Sequence, residues 1–128
     1  MKVVLDPYYK KGGKRKIKIQ IDPWDVWNFD HSLALIIAPA LKLLKEKKRG
    51  GPFVDDEDVP EELKSTNAEP KENEWDTDSN FFLRRDYVLD EMIWTFDHII
   101  SEEGDWLDID NDRIMNGLRL FLRYYICK

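Results

Sequence analysis

The sequence predicts a mostly α-helical single domain: a three-helix core, its first helix kinked at Pro39, with an N-terminal two-stranded β-hairpin. Three observations carry this. Apolar residues recur at helical spacing over three long stretches. Strict apolar and polar alternation occurs over one stretch near the front, Lys14 to Ile21. Glycine and proline clusters punctuate the chain where one pattern gives way to the next. A length of 128 residues and a hydrophobic share of 42% fit one globular domain, residues 1–128.

The hairpin occupies residues 1–21. Lys2-Val3-Val4-Leu5 is one strand and Lys14 to Ile21 the other, with Gly12-Gly13 as the turn signal. Ile17, Ile19 and Ile21 face one side, and Lys16, Lys18 and Gln20 the other. A two-stranded ribbon is marginal alone, so the isoleucine face is expected to pack on helices.

Residues 22–50 form the first helical segment. Asp22 can cap and Pro23 suits a first helical position. Asp30 or Ser32 can cap the next helix, Leu33 to about Lys48, with Leu33, Ile36, Ile37, Ala40, Leu41 and Leu44 on one broad apolar face. Pro39 inside it is expected to kink or split it. Residues 51–79 read as an acidic connector, with a short helical turn over Pro60 to Lys64 capped by Asp58. A two-helix hairpin, residues 80–126, completes the chain: one helix from about Asn80 to Glu103, the other from about Asn111 to Ile126, where Gly117 permits close packing.

Net charge is −6, but it is unevenly spread. Met1 to Gly50 holds 12 Lys/Arg against 5 Asp/Glu, Gly51 to Asp112 holds 4 against 21, and Arg113 to Lys128 holds 4 against none. Such a split suits anion binding at one end, head-to-tail packing of copies, or plain solubility. The single cysteine, Cys127, allows neither an intramolecular disulfide nor a cysteine-based zinc site, and points to a reducing compartment. The opening residues do not read as a signal peptide, and the longest apolar stretch, Leu33 to Leu41, is too short to span a membrane. Duplex DNA binding is disfavoured by net charge and by the lack of a recognition-helix pattern.

Candidate chemistry is sparse. Asp86, Asp90 and Asp97 share a face of the second long helix, as do Glu91 and His98. Together they suggest a metal-dependent nucleotide hydrolase or simply a solvated face, since no Glu-x-x-His or His-Glu-x-x-His spacing is present. His31 beside Asp30 has no nucleophile to serve. No catalytic residue, metal ligand or cofactor is therefore assigned. The basic loop Lys10-Lys11-Gly12-Gly13-Lys14-Arg15-Lys16 can receive an anion, because glycines let backbone N–H groups approach it and the lysines attract it. Arg119 and Arg123, four residues apart, can grip phosphate while Tyr124 or Tyr125 stacks a base. The alternative for these arginines is ion pairing to the acidic middle. Trp24, Trp27 and Trp94 read first as core residues and second as stacking platforms.

Several stretches together resemble an uncharacterised family of small tailed-bacteriophage proteins. They are Pro23-Trp24-Asp25-Val26-Trp27-Asn28-Phe29-Asp30, Val54-Asp55-Asp56-Glu57-Asp58-Val59-Pro60-Glu61-Glu62-Leu63, Trp75-Asp76-Thr77-Asp78-Ser79-Asn80, Asp90-Glu91-Met92-Ile93-Trp94 and Arg113-Ile114-Met115-Asn116-Gly117-Leu118-Arg119-Leu120-Phe121. The resemblance covers roughly Ile19 to Tyr125 and brings no functional residues with it. It implies the host cell cytoplasm as the place of action.

The expectation is thus a non-enzymatic phage protein that sequesters an anionic nucleotide signal to counter host antiviral defence. Its ligand-binding residues would be Lys11, Lys14, Arg15, Arg119 and Arg123 for phosphates, with Trp24 or Tyr125 for stacking. The expected partners are a nucleotide-type small molecule and further copies of the chain. The alternative is an adaptor or inhibitor that binds a host or viral protein through its acidic connector.

Overall fold

The computed structural model describes residues 1–6, 15–47, 53–101 and 111–126. Strands β1 (Lys2–Leu5) and β2 (Ile17–Gln20) pair antiparallel, with Lys2 opposite Gln20, Val3 opposite Ile19, Val4 opposite Lys18 and Leu5 opposite Ile17. Directly opposed residues share a face. Val3, Leu5, Ile17 and Ile19 therefore form one apolar face, and Lys2, Val4, Lys18 and Gln20 the other. The expected packing of this ribbon on the helices does not occur: all eight strand residues are exposed, Ile17 at 64% and Ile19 at 55%.

Helix α1 (Pro23–Trp27) starts as its sequence predicts, with Asp22 as the extended N-cap and Pro23 in the first turn. The Asp22 N–H donates to Asp25 Oδ2 at 2.8 Å, and the Met1 amine meets the same oxygen at 2.8 Å, which holds the ribbon's base to α1. Helix α2 (Phe29–Lys47) begins earlier than expected, so Asp30 and Ser32 lie inside it rather than capping it. Ser32 Oγ instead donates back to the Asp25 carbonyl at 3.0 Å.

Pro39 does not split α2, which runs through it unbroken. The Leu35 carbonyl loses its helical donor, but both residues are solvent-exposed, so water can replace it. The apolar surface of α2 also differs from the single face expected. Ala34, Ala38 and Leu41 are buried, with Ile37 and Leu44 packed beside them, whereas Leu33, Ile36 and Ala40 are exposed. The small alanines let α2 approach its neighbour closely, so the buried stripe follows them rather than the largest side chains.

That neighbour is α3 (Phe81–Ile100), the central element, whose buried face carries Val88, Leu89, Met92, Thr95 and Phe96. Ion pairs Lys42–Asp97 (2.9 Å) and Lys45–Asp90 fix α2 antiparallel to it. Helix α4 (Asn111–Phe121) continues as a π-helical turn, Leu122–Ile126, and packs on α3 through Leu120 and the edge-to-face pair Phe96–Phe121. Gly117 permits the contact, because a Cβ there would lie 1.8 Å from Thr95 Oγ1. Among the described residues, no helix is long and apolar enough to cross a membrane.

The connector is organised over its first half. Short 3-10 turns occupy Asp56–Asp58, Glu61–Leu63 and Ser65–Asn67, the second lying where the helical turn was expected. Asp58 does not cap that turn; it is buried, for a reason that lies in α4.

Candidate functional site

Three of the five residues expected to bind phosphate are described, and they sit in two places. Lys11 and Lys14 lie outside the described residues. Arg15 stands beyond the Leu5–Ile17 pair, at the end of the ribbon away from α1, and donates through Nε to the Asp6 carbonyl at 2.9 Å. Arg119 and Arg123 project from α4 and its π-turn into the connector. Arg119 reaches Asp58 Oδ1 at 2.8 Å, and Arg123 reaches Glu57 at 2.7 Å, Asp58 Oδ2 at 2.9 Å and Asp55. Their pairing to the acidic middle was one of the two readings of the sequence, and it is the one the side chains adopt.

Tyr124, rather than Tyr125, joins this cluster. Its hydroxyl donates to buried Asp58 and accepts from the Asp55 N–H at 3.1 Å. Burial, reinforced by the hydrogen bond to Asp58, pushes the phenol up to about 12. Tyr125 is half-buried, its hydroxyl lacks a hydrogen-bond partner, and burial raises its pKa.

A second anchor holds the connector to the start of α3. Arg84 is only 2% exposed. It grips Asp78 with two hydrogen bonds of 2.7 Å, and donates to the carbonyls of Val54 and Leu63 at 3.3 Å each. Hydrogen bonding to Arg84 holds the Asp78 carboxyl below the usual carboxylate range. Asn80 adds bonds to the Glu62 and Lys64 carbonyls.

The acids of α3 do not converge. Asp90 pairs with Lys45, Asp97 with Lys42, and Glu91 with Arg113, while Asp86 lies beside Arg85. Arg113 also covers the Trp94 ring at 3.9 Å, and Trp94 stacks on His98. Among the described residues, the group of three carboxylates close enough to share a cation is Asp55, Glu57 and Asp58. Guanidinium groups already neutralise it, so a cation there would have to displace them.

What stands open is apolar. Trp24, Val26 and Trp27 on α1 are exposed, Trp27 at 83%, although the tryptophans read first as core residues. They follow β2 directly, so ribbon and α1 present apolar side chains in succession: Val3, Leu5, Ile17, Ile19, then Trp24 and Trp27. The signal for this was in the sequence. An alternating strand and two tryptophans spaced three apart were visible, but nothing in the periodicity says whether a face meets the core or a partner. Of the expected stacking residues, Trp24 is thus the accessible one. Among the described residues, shallow depressions lie along the connector from Glu69 to Ser79 and on the ribbon between Asp6, Lys16 and Lys18.

No protein-family model, no curated protein and no solved structure matches the chain.

Proposed function

We propose that this chain is a non-enzymatic binding protein that docks a protein partner through its ribbon and α1. The observation that carries this is the uncovered apolar face of the ribbon next to exposed Trp24 and Trp27. Tryptophans at the centre of an apolar patch are the usual anchors of protein interfaces. The ribbon adds two strand edges whose outward backbone groups can accept a further strand. The helical body supplies the rigid base, and the cationic pairs that tie down the connector leave it little freedom to serve as the docking element. The resemblance to phage proteins would put that partner in the host cell, as a host or viral protein.

Placing a photo-crosslinking phenylalanine analogue at Trp27 tests this in cells. A covalent product with a protein, lost when Ile17→Lys and Ile19→Lys are added, is the expected outcome. No product from position 24 or 27 overturns the reading.

A second reading keeps the nucleotide. The face of the ribbon opposite the isoleucines carries Lys2 and Lys18 on its strands, with Lys16 just before β2, all exposed. Phosphate would be held there, with Trp24 as the stacking ring, because Arg119 and Arg123 are engaged elsewhere. Native mass spectrometry with cyclic oligonucleotides and ADP-ribose-type signals tests it. An intact nucleotide adduct lost in a Lys16→Glu, Lys18→Glu variant supports sequestration. No adduct across the panel removes it.

A further inference from the structure

The pairing of β2 with β1 decides which backbone groups face its free edge. The Asp6 N–H donates to the Lys16 carbonyl at 2.9 Å, one step beyond the Leu5–Ile17 pair. Hydrogen-bonded and non-bonded pairs alternate along an antiparallel ladder, so Asp6–Lys16, Val4–Lys18 and Lys2–Gln20 turn their backbone groups into the ribbon. The N–H and C=O groups of Ile17 and Ile19 therefore point outward, away from β1. Lys16 and Lys18, which flank Ile17, are exposed and form no ion pair among the described residues. Lys42, Lys45 and Lys64, by contrast, each hold a carboxylate.

We propose that the free edge of β2 takes an extended segment of the partner protein as a third, antiparallel strand, one in which acidic and apolar residues alternate. This rests on the reading of the ribbon as a docking surface and names the chemistry of what docks. Three features select it. First, partner residues opposite Ile17 and Ile19 exchange backbone hydrogen bonds with them, which is strand addition to an open edge. Second, directly opposed residues share a face, so those same partner residues join Val3, Leu5, Ile17 and Ile19 and are apolar. Third, partner residues opposite Lys16 and Lys18 fall at non-bonded pairs, where side chains approach most closely. A carboxylate at each of these positions meets an exposed, unpaired cation. The edge of β1 is less selective, because Lys2 alternates there with uncharged Val4. A nucleic-acid strand would answer the lysines but not the outward backbone groups or the isoleucines between them. The N-terminal end of the added strand lies toward α1, where Trp24 and Trp27 are exposed.

Fluorescence anisotropy of the full chain with a labelled peptide of alternating Asp and Val tests the proposal. Saturable binding is the expected result. The same peptide with Lys in place of Asp should bind about tenfold more weakly, since two attractive cross-strand pairs become repulsive. A third peptide, N-methylated at its valines, cannot donate to the outward carbonyls of Ile17 and Ile19 and should not bind. Lys16→Glu with Lys18→Glu should invert the preference between the acidic and basic peptides. No binding of the acidic peptide, equal binding of the acidic and basic ones, or binding that survives N-methylation overturns the proposal. So does a chain that binds oligothymidylate and none of the peptides. The three peptides decide the matter on the unmodified chain, even where the double variant fails to fold. A crosslink at Trp27 without peptide binding removes the added strand and leaves the docking surface standing, whereas loss of the crosslink removes the docking reading itself.

Discussion

Single residues set how the connector is held. Arg84 is buried and its four hydrogen bonds join Val54, Leu63 and Asp78 to the first turn of α3. Replacing it by Ala leaves the half-buried Asp78 carboxylate and two carbonyls without their donor, so stability should fall by about 2 kcal/mol in urea unfolding. Arg84→Lys should recover only part, because an ammonium cannot match the fork that meets both Asp78 oxygens. Asp78 gives the pH sign. Its folded pKa is depressed by Arg84, so its contribution is present above the unfolded value near 3.8 and is lost as pH falls through the folded one. Acid unfolding should therefore begin near pH 4, and Asp78→Asn should flatten that limb while lowering stability at pH 7. Tyr124 works in the opposite sense. Burial and Asp58 raise its phenol from 10.0 to about 12, so its contribution is present below 10 and fades as pH rises toward 12. An ultraviolet titration should show one tyrosine ionising near pH 12, absent from Tyr124→Phe.

At the scale of elements, legibility depended on what each pattern encodes. Helix positions were readable, because a 3.6-residue period over 11 or more positions has few alternatives. β1 was read to the residue, and β2 within a longer alternating stretch. The choice of face on α2 was not readable: apolar residues cover most of its circumference, and only the contact with α3 shows that Ala34 and Ala38 lie inside while Leu33 and Ile36 lie outside. Close helix approach through alanine leaves no periodic signature distinct from one broad face. Arg119 and Arg123 were read both as a phosphate grip and as ion-pair partners of the acidic middle, because sequence spacing puts them on one helix face but does not pick out Asp55, Glu57 and Asp58 some 60 residues away. Gly117 was legible, and its consequence is sharp. An added Cβ would lie 1.8 Å from Thr95 Oγ1 and 2.6 Å from Thr95 Cβ, so α4 must shift off α3. Gly117→Ala should cost about 1–3 kcal/mol despite alanine's better helix propensity. Adding Thr95→Ala removes the hydroxyl clash but not the Cβ contact, so thermal unfolding should show partial rescue.

For the molecule as a whole, the core and the proposed binding surface are separate. Buried apolar residues come from α2, α3, α4, the π-turn and the connector, and none comes from the ribbon or α1. A two-stranded ribbon that buries nothing contributes little to folding, and the ion pair at its base, between the Met1 amine and Asp25, is close to the surface. Its apolar face is therefore better explained by binding than by stability, since exposing isoleucine to water has a cost that folding does not recover here. This separation makes a firm expectation. A chain lacking residues 1–21 should keep its helical circular dichroism and unfold cooperatively, within about 1 kcal/mol of the full chain. It should lose the crosslink made at Trp27 if the ribbon and α1 bind as one surface. A truncated chain that unfolds or aggregates would place the ribbon within the folding unit, and its isoleucines would then be core residues covered by something other than a partner.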